Sequence, residues 1–169
     1  ETLSGLETAA EIIIVDDGSP DGTAELAEQS GLAAKVINRG ARLGLASAVV
    51  AGIRDARGEV ICVLDADQSH PPQLITALYS EICGGKDIAI ASRLIQGGGV
   101  EDWPFSRRLM SQTARLLAYP LTPVVDSMSG FFMCRRSILE GALSNPRGYK
   151  ILLDILVRGT AREHVEIPY

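Results

Sequence analysis

Short apolar runs without helical period alternate along the chain with longer stretches whose apolar positions recur three and four residues apart. The short runs are Glu11-Ile12-Ile13-Ile14-Val15, Ala33-Ala34-Lys35-Val36-Ile37-Asn38, Glu59-Val60-Ile61-Cys62-Val63-Leu64 and Asp87-Ile88-Ala89-Ile90-Ala91-Ser92. Each predicts a strand, and the third reads as a central strand buried on both faces. Between them the pattern predicts helices over residues 24–30, 45–56 and 72–82, the last with Leu74, Ile75, Leu78 and Ile82 at core spacing. Asp21 or Thr23 can cap the first helix, Gly58 ends the second, and Gly84-Gly85 stops the third. The resulting order, βαβαβαβ, is that of an α/β domain with a parallel sheet and helical crossovers.

From Arg93 the pattern changes. Residues 95–104 form a glycine-rich loop that reads as too flexible to be a packing element, and such a loop on a rigid sheet is more often functional than not. A helix starting at Ser106 carries Arg107, Arg108 and Arg115 beside Leu109, Met110, Leu116, Leu117 and Tyr119. That mixture suits a membrane interface, and it equally suits a helix packed on the sheet with its arginines in water. Asp126 lies in a short polar turn between apolar segments, and Arg135-Arg136 precede a helical stretch from Ser137. Asn145-Pro146-Arg147-Gly148 is a turn, residues 149–157 form an apolar helix carrying Lys150 and Asp154, and Val165-Glu166-Ile167 is strand-like.

The 169 residues suit one domain over the whole chain, with 46% hydrophobic and 22% charged residues placing it among globular proteins. A net charge of −5 argues against nucleic acid as a partner. Cys62, Cys83 and Cys134 lack metal-ligand spacing and lie in or beside apolar sequence, so they read as reduced core residues in a cytosolic setting. No apolar run is long enough to span a bilayer, and no signal peptide is visible. The chain starts at Glu1 without a methionine and stops just after a strand-like run, so we expect a fragment truncated at both ends.

Candidate chemistry concentrates where strands end. Asp65-Ala66-Asp67 follows the third run and precedes Pro71-Pro72, which can open a helix. In an open α/β sheet that end faces the ligand crevice, and aspartates at i and i+2 on extended chain can reach one hard cation. Asp16-Asp17 ends the first run before a loop built by Gly18, Pro20 and Gly22. Carboxylates there suit hydrogen bonds to a base or ribose, whereas a phosphate site would want amides and cations. Gly40 and Gly44 with Arg39 and Arg42 form either a weak anion-binding turn or a loop with solvated arginines.

Six stretches then fall in one order. They are Val15-Asp16-Asp17-Gly18-Ser19-Pro20-Asp21-Gly22-Thr23, Asp65-Ala66-Asp67 with His70-Pro71-Pro72, Ser92-Arg93, Gly97-Gly98-Gly99-Val100 with Trp103, Asp126-Ser127-Met128-Ser129-Gly130-Phe131, and Gly148-Tyr149-Lys150-Ile151-Leu152-Leu153. Each alone is a weak signal. Together they cover essentially the whole chain and resemble the family 2 glycosyltransferases, specifically the dolichyl-phosphate mannose synthase branch.

The resemblance implies a GT-A type fold, a Rossmann-like and mostly parallel sheet with helices on both faces. It also implies an inverting transfer of a sugar, mannose, from GDP-mannose to a polyprenyl or dolichyl phosphate, with Mg²⁺ or Mn²⁺. The expected setting is peripheral, at the cytoplasmic face of a membrane. Donor contacts would come from Val15, Asp17, Asp65, Ala66, Asp67, Ser69 and Lys150, with Asp65 and Asp67 holding the metal. Arg93 and Arg107 would receive the acceptor phosphate, and Asp65, Asp67, Arg93, Arg107 and Asp126 make up the catalytic set. The family's first strand would precede Glu1, and an arginine-bearing segment would follow Tyr169. Many relatives have Phe-Arg where this chain has Phe131-Phe132, although Arg135 and Arg136 lie close by in sequence. Alternatives are transfer of glucose from UDP-glucose, a non-catalytic nucleotide-sugar-binding module, and a nucleotidyltransferase. The last would usually show a basic, glycine-rich loop where Asp16-Asp17 stands.

Overall fold

The computed structural model describes residues 9–30, 34–99, 105–143 and 150–169, and of residues 34 and 105–110 only the backbone. Each apolar run becomes a strand: β1 (Ile12–Asp16), β2 (Ala34–Asn38), β3 (Val60–Val63) and β4 (Ile88–Ser92), joined by helices α1 (Thr23–Gln29), α2 (Leu45–Asp55) and α3 (Leu74–Cys83). Next come α4 (Phe105–Ala118), β5 (Phe132–Arg135), a 3₁₀ turn over Arg136–Leu139, α5 (Ile151–Arg158) and β6 (His164–Pro168). Asp21 does accept the backbone N–H of Thr23 at 3.1 Å, but the N-cap position is Gly22 in the left-handed conformation.

β1 and β2 pair in parallel, Ile12 opposite Ala34 through Asp16 opposite Asn38. The other strands form a sheet in the order β3-β5-β4-β6, with β4 and β6 parallel. β5 lies antiparallel between β3 and β4, so the second sheet is mixed. The periodic pattern of the first half did not foresee this. Parallel neighbours need a crossover that returns the chain to the starting edge, whereas β5 is entered from a turn already at the carboxyl ends of β3 and β4.

β3 is also less central than its composition suggested. It pairs on one side, with β5, among the described residues, and only Ile61 of its four residues is buried. The strand buried on both faces is β4, where every residue from Ile88 to Ser92 is fully covered. Its side chains alternate between two cores. Ile88 and Ile90 join Phe132, Cys134 and the apolar faces of α2 and α5. Ala89 and Ala91 join Phe131, Met133 and the Ile75, Leu78 and Ile82 face of α3. Helix α2 ties the two sheets together. Its Gly52 sits so near Val15 that a Cβ there would come within 3.1 Å of the valine Cγ2, while Val50 and Ile53 pack with Ile61.

Cys134 is buried, and burial pushes its thiol and that of Cys62 up to about 12. Cys83, the last residue of α3, is exposed, contrary to the core reading. The far end of α4 leaves Leu116, Leu117 and Tyr119 more than two-thirds exposed, with exposed Leu121 just beyond and Ala118 buried. No helix among the described residues is long and apolar enough to cross a membrane.

Arg135 and Arg136 lie at the end of β5 away from the carboxyl edge, and neither substitutes for a ligand-binding cation. Arg136 donates to three carbonyls at the end of α2, those of Ala56 (2.6 Å), Gly58 (2.8 Å) and Ile53 (3.2 Å). Arg135 donates to Ile82 (2.5 Å) and Lys86 (3.3 Å) beyond α3. Helix C-termini carry unpaired carbonyls and the negative end of the dipole, so both arginines act as tertiary caps. Arg136→Met should cost about 1.5–3 kcal/mol in urea unfolding, the range for hydrogen bonds from a charged donor, and leave nucleotide binding unchanged. A stability loss below measurement error would contradict the capping role.

Candidate functional site

The carboxyl edge of the second sheet collects the charged residues. Beyond β3 the chain turns sharply, with Gln68 in the left-handed region (φ 65°), a conformation that costs a non-glycine residue energy and persists where the surrounding structure holds it. Two internal hydrogen bonds fix this loop. The Asp65 amide donates to Nδ1 of His70 at 2.9 Å, and the Ser69 amide donates to Oδ1 of Asp67 at 2.9 Å. His70 is buried, and burial pushes its imidazole below the usual range despite the opposing Asp65 carboxylate, so the ring is neutral at neutral pH. With Nδ1 accepting, the proton sits on Nε2. Gly130 makes room for this arrangement. A Cβ there would lie 3.2 Å from Cε1 of His70 and 3.4 Å from Oδ2 of Asp65.

Arg93 follows β4 directly. Its amide donates to Oδ2 of Asp126 at 3.0 Å, and its guanidinium donates to the Ser69 carbonyl on the β3 loop. Asp126 is itself held by Glu166 of β6, whose two carboxylate oxygens accept the amides of Val125 (2.8 Å) and Asp126 (2.9 Å). Asp65, Asp67, Ser69, Arg93, Asp126 and Lys150, the residue before α5, line one cleft of about 320 Å³. Leu45, Val49 and Val63 supply an apolar side.

A divalent cation fits this donor set. Two carboxylates are hard oxygen ligands, and the Asp65 side chain is 41% exposed toward solvent. No group of three or more histidine, cysteine or acidic side chains converges among the described residues, so no closed protein cage is present there. Two carboxylates suit a cation that completes its shell with phosphate oxygens and water.

Asp17 lies elsewhere, in a hollow with Ser19, Arg42 and Gly44. Its Oδ1 meets Nη1 of Arg39 at 2.9 Å, and its Oδ2 accepts the Gly44 amide at 2.8 Å. Arg39 is largely buried and also bonds Ser47 Oγ at 2.8 Å, so of the two arginines only Arg42 is the solvated side chain weighed above. Asp16 builds the loop instead, accepting the amides of Gly18 and Ser19 at 3.0 and 2.9 Å. The side chain of Val15 packs toward α2, and Ala66 is exposed. The side chain of Arg107 and residues 100–104, with Trp103, lie outside what is described.

Part of the glycine loop is a packing element after all. A Cβ on Gly98 would come within 2.7 Å of the Arg93 carbonyl, and the Gly99 amide donates to the Tyr169 carbonyl at 2.9 Å. The pattern missed His70, Glu166 and Tyr169 as site residues. Tyr169 was within reach, because Val165, Ile167 and Tyr169 alternate along a strand and share its face.

Residues 3–142 match the family described as glycosyl transferase family 2. The chain belongs to that family. It is 45% identical over 165 residues to a dolichol-phosphate mannosyltransferase of Pyrococcus furiosus, covering 94% of this chain and 47% of that protein. It is 40% identical over 167 residues to a dolichol-phosphate mannosyltransferase of Mycosarcoma maydis, covering 94% of this chain and 57% of that protein. A polyprenol monophosphomannose synthase of Mycolicibacterium smegmatis is 36% identical, covering 87% of this chain and 60% of that protein. The chain thus spans about half the length of the curated relatives it matches. Among solved structures, mannosyl-3-phosphoglycerate synthase from Rubrobacter xylanophilus superposes with a TM-score of 0.66 at 24% identity, covering 98% of this chain and 57% of that one. Glucosyl-3-phosphoglycerate synthase from Mycobacterium tuberculosis, in complex with Mn²⁺, UDP-glucose and phosphoglyceric acid, gives 0.60 at 24% identity, covering 85% and 50%. These likenesses carry the fold, which is of GT-A type.

Burial pushes the Asp126 carboxyl above the usual range, with Glu166 adding to the rise and the Arg93 amide opposing it. A folded pKa above the unfolded one gives stability that is full below the unfolded carboxylate pKa and is lost as pH rises through the folded value. Asp126→Asn, whose Oδ1 can accept the same amide, lacks that loss. The variant's urea midpoint should therefore gain on wild type as pH rises through that window and hold its advantage above it. A difference that does not change with pH would contradict the assignment.

Proposed function

We propose that this chain is the catalytic domain of an inverting glycosyltransferase that moves mannose from GDP-mannose to a polyprenyl or dolichyl phosphate. The observation that carries the reading is the convergence of Asp65, Asp67, Arg93 and Lys150 on one cleft at the carboxyl edge of the sheet. That set suits a reaction with anions on both sides of the transferred group. The names of the mannosyltransferase relatives support the sugar and the lipid phosphate.

Asp65 and Asp67 would hold Mg²⁺ or Mn²⁺, which supplies charge neutralisation at the departing nucleoside diphosphate. His70 fixes the backbone at Asp65, and the Ser69 amide holds the Asp67 carboxylate, through the loop bonds described above. Asp17, with Ser19 beside it, would hydrogen-bond the nucleoside, and Lys150, which lines the cleft before α5, would meet the donor phosphates. Arg93 aligns the acceptor phosphate, joined by Arg107. That phosphate is already anionic at neutral pH, so positioning matters more than a strong general base. One displacement at the anomeric carbon inverts its configuration. Asp126 acts by fixing the Arg93 backbone at the cleft wall.

The acceptor implies a membrane surface, and the exposed Leu116, Leu117, Tyr119 and Leu121 with Arg115 suit contact with it. Three free thiols suit the reducing cytoplasmic side.

The test is acceptor-dependent release of nucleoside diphosphate by the full-length protein, comparing GDP-mannose with UDP-glucose. GDP-mannose should be the working donor, Asp67→Asn should lower turnover on the order of a thousandfold, and its thermal midpoint should hardly move. Turnover of Asp67→Asn within a few-fold of wild type at saturating Mn²⁺, or a preference for UDP-glucose, would contradict the reading.

A further inference from the structure

Tyr169 meets the site at more points than its place beyond β6 suggests. Its amide donates to the Ser92 carbonyl at 3.2 Å, and its carbonyl accepts the Gly99 amide at 2.9 Å. Its main chain thus joins the end of β4 to the base of the glycine loop. The ring stands edge-on to Phe131 and to His70, each with centroids 6.1 Å away, and His70 stacks on Phe131 at 5.2 Å. Phe131 is fully buried and His70 nearly so, which makes these rings a rigid base. The Arg93 guanidinium lies over the Tyr169 ring, with Cζ 4.8 Å from its centroid.

We propose that Tyr169 is a positioning residue that fixes the Arg93 guanidinium over the cleft and so sets how well the acceptor's phosphomonoester is held. The proposal rests on the reading of Arg93 as an acceptor-phosphate cation. An unsupported arginine samples many rotamers, and ordering it on binding costs affinity. The ring face attracts the cation without using its in-plane N–H groups, so those that the Ser69 carbonyl does not take can meet a phosphate. Gly98, which has no Cβ to fill the gap, lets the glycine loop lie close against the Arg93 main chain, and the bond to the Ser69 carbonyl holds the far end of the side chain. An apolar residue of similar size would fill the space at position 169 without aligning a cation.

The experiment measures steady-state kinetics of the full-length protein with a polyprenyl phosphate of fixed length, alongside calorimetry of GDP-mannose binding. Tyr169→Leu and the longer, unbranched Tyr169→Met should each raise the acceptor KM by about tenfold, with a smaller fall in kcat and unchanged donor affinity. Tyr169→Phe, which keeps the ring, should bring the acceptor KM back to within about threefold of wild type. On an Arg93→Ala background, Tyr169→Leu should add no further loss. Three results would overturn the inference: Phe behaving like Leu and Met, donor affinity falling in step with the acceptor KM, or losses that add in the double variant. Arg93→Ala without effect on the acceptor KM would overturn the role of Arg93 and this inference with it. A damaging Arg93→Ala beside silent Tyr169→Leu and Tyr169→Met would overturn this inference alone.

Discussion

The antiparallel insertion of β5 between β3 and β4 is the constraint on which the site depends. Phe132 lies opposite Val63 of β3 on one side and Ile90 of β4 on the other. That register puts the start of β5 at the ends of its neighbours, so the turn carrying Asp126 and Gly130 shares an edge with Asp65, Asp67 and Arg93. The same reversal sends Arg135 and Arg136 to the opposite edge, where they cap α2 and α3. A slip of one residue would exchange Phe132 with its neighbours across the two cores and take the Gly130 gap away from His70. One strand thus both anchors the helices and assembles the cleft.

Within the cleft, the charged side chains are held mostly through backbone groups. His70 accepts the Asp65 amide, Asp67 accepts the Ser69 amide, and Glu166 accepts two amides beside Asp126. Among the described residues, no ion pair joins Asp65 or Asp67 to Arg93 or Lys150. Close ion pairs such as Asp17 with Arg39 and Lys35 with Asp55 lie outside this cleft. A site built this way keeps opposite charges apart and ready for ligands, since paired charges would first have to be separated. The strained backbone at Gln68 belongs to the same economy, because the surrounding bonds hold a conformation that an isolated turn would abandon.

Much of this was legible from the pattern of residues. The runs around Ile13, Val36, Ile61 and Ile90 became strands, and the Asp-x-Asp pair fell at a strand end because apolar length and the following prolines leave little choice. The direction of β5 was not legible. Phe131-Phe132-Met133-Cys134 is apolar on both faces and carries no mark of orientation, which tertiary pairing alone decides. The roles of Arg135 and Arg136 followed from that direction. The glycine loop misled for a different reason, since glycine signals freedom and close approach alike, and Gly98 serves the second. Glu166 escaped notice because it lies off the Val165, Ile167 and Tyr169 alternation, on the face that so short a strand gives no reason to single out.

On the proposed reading, Asp65 and Asp67 form half of a cation site that a nucleoside diphosphate completes. Calorimetric titration of Mn²⁺ into the full-length protein, with and without GDP, tests it without any turnover. Mn²⁺ should bind weakly to the protein alone and much more tightly when GDP is present, and Asp65→Asn should lose that enhancement at unchanged thermal stability. Mn²⁺ binding of equal strength with and without GDP, or an enhancement that survives Asp65→Asn, would contradict it.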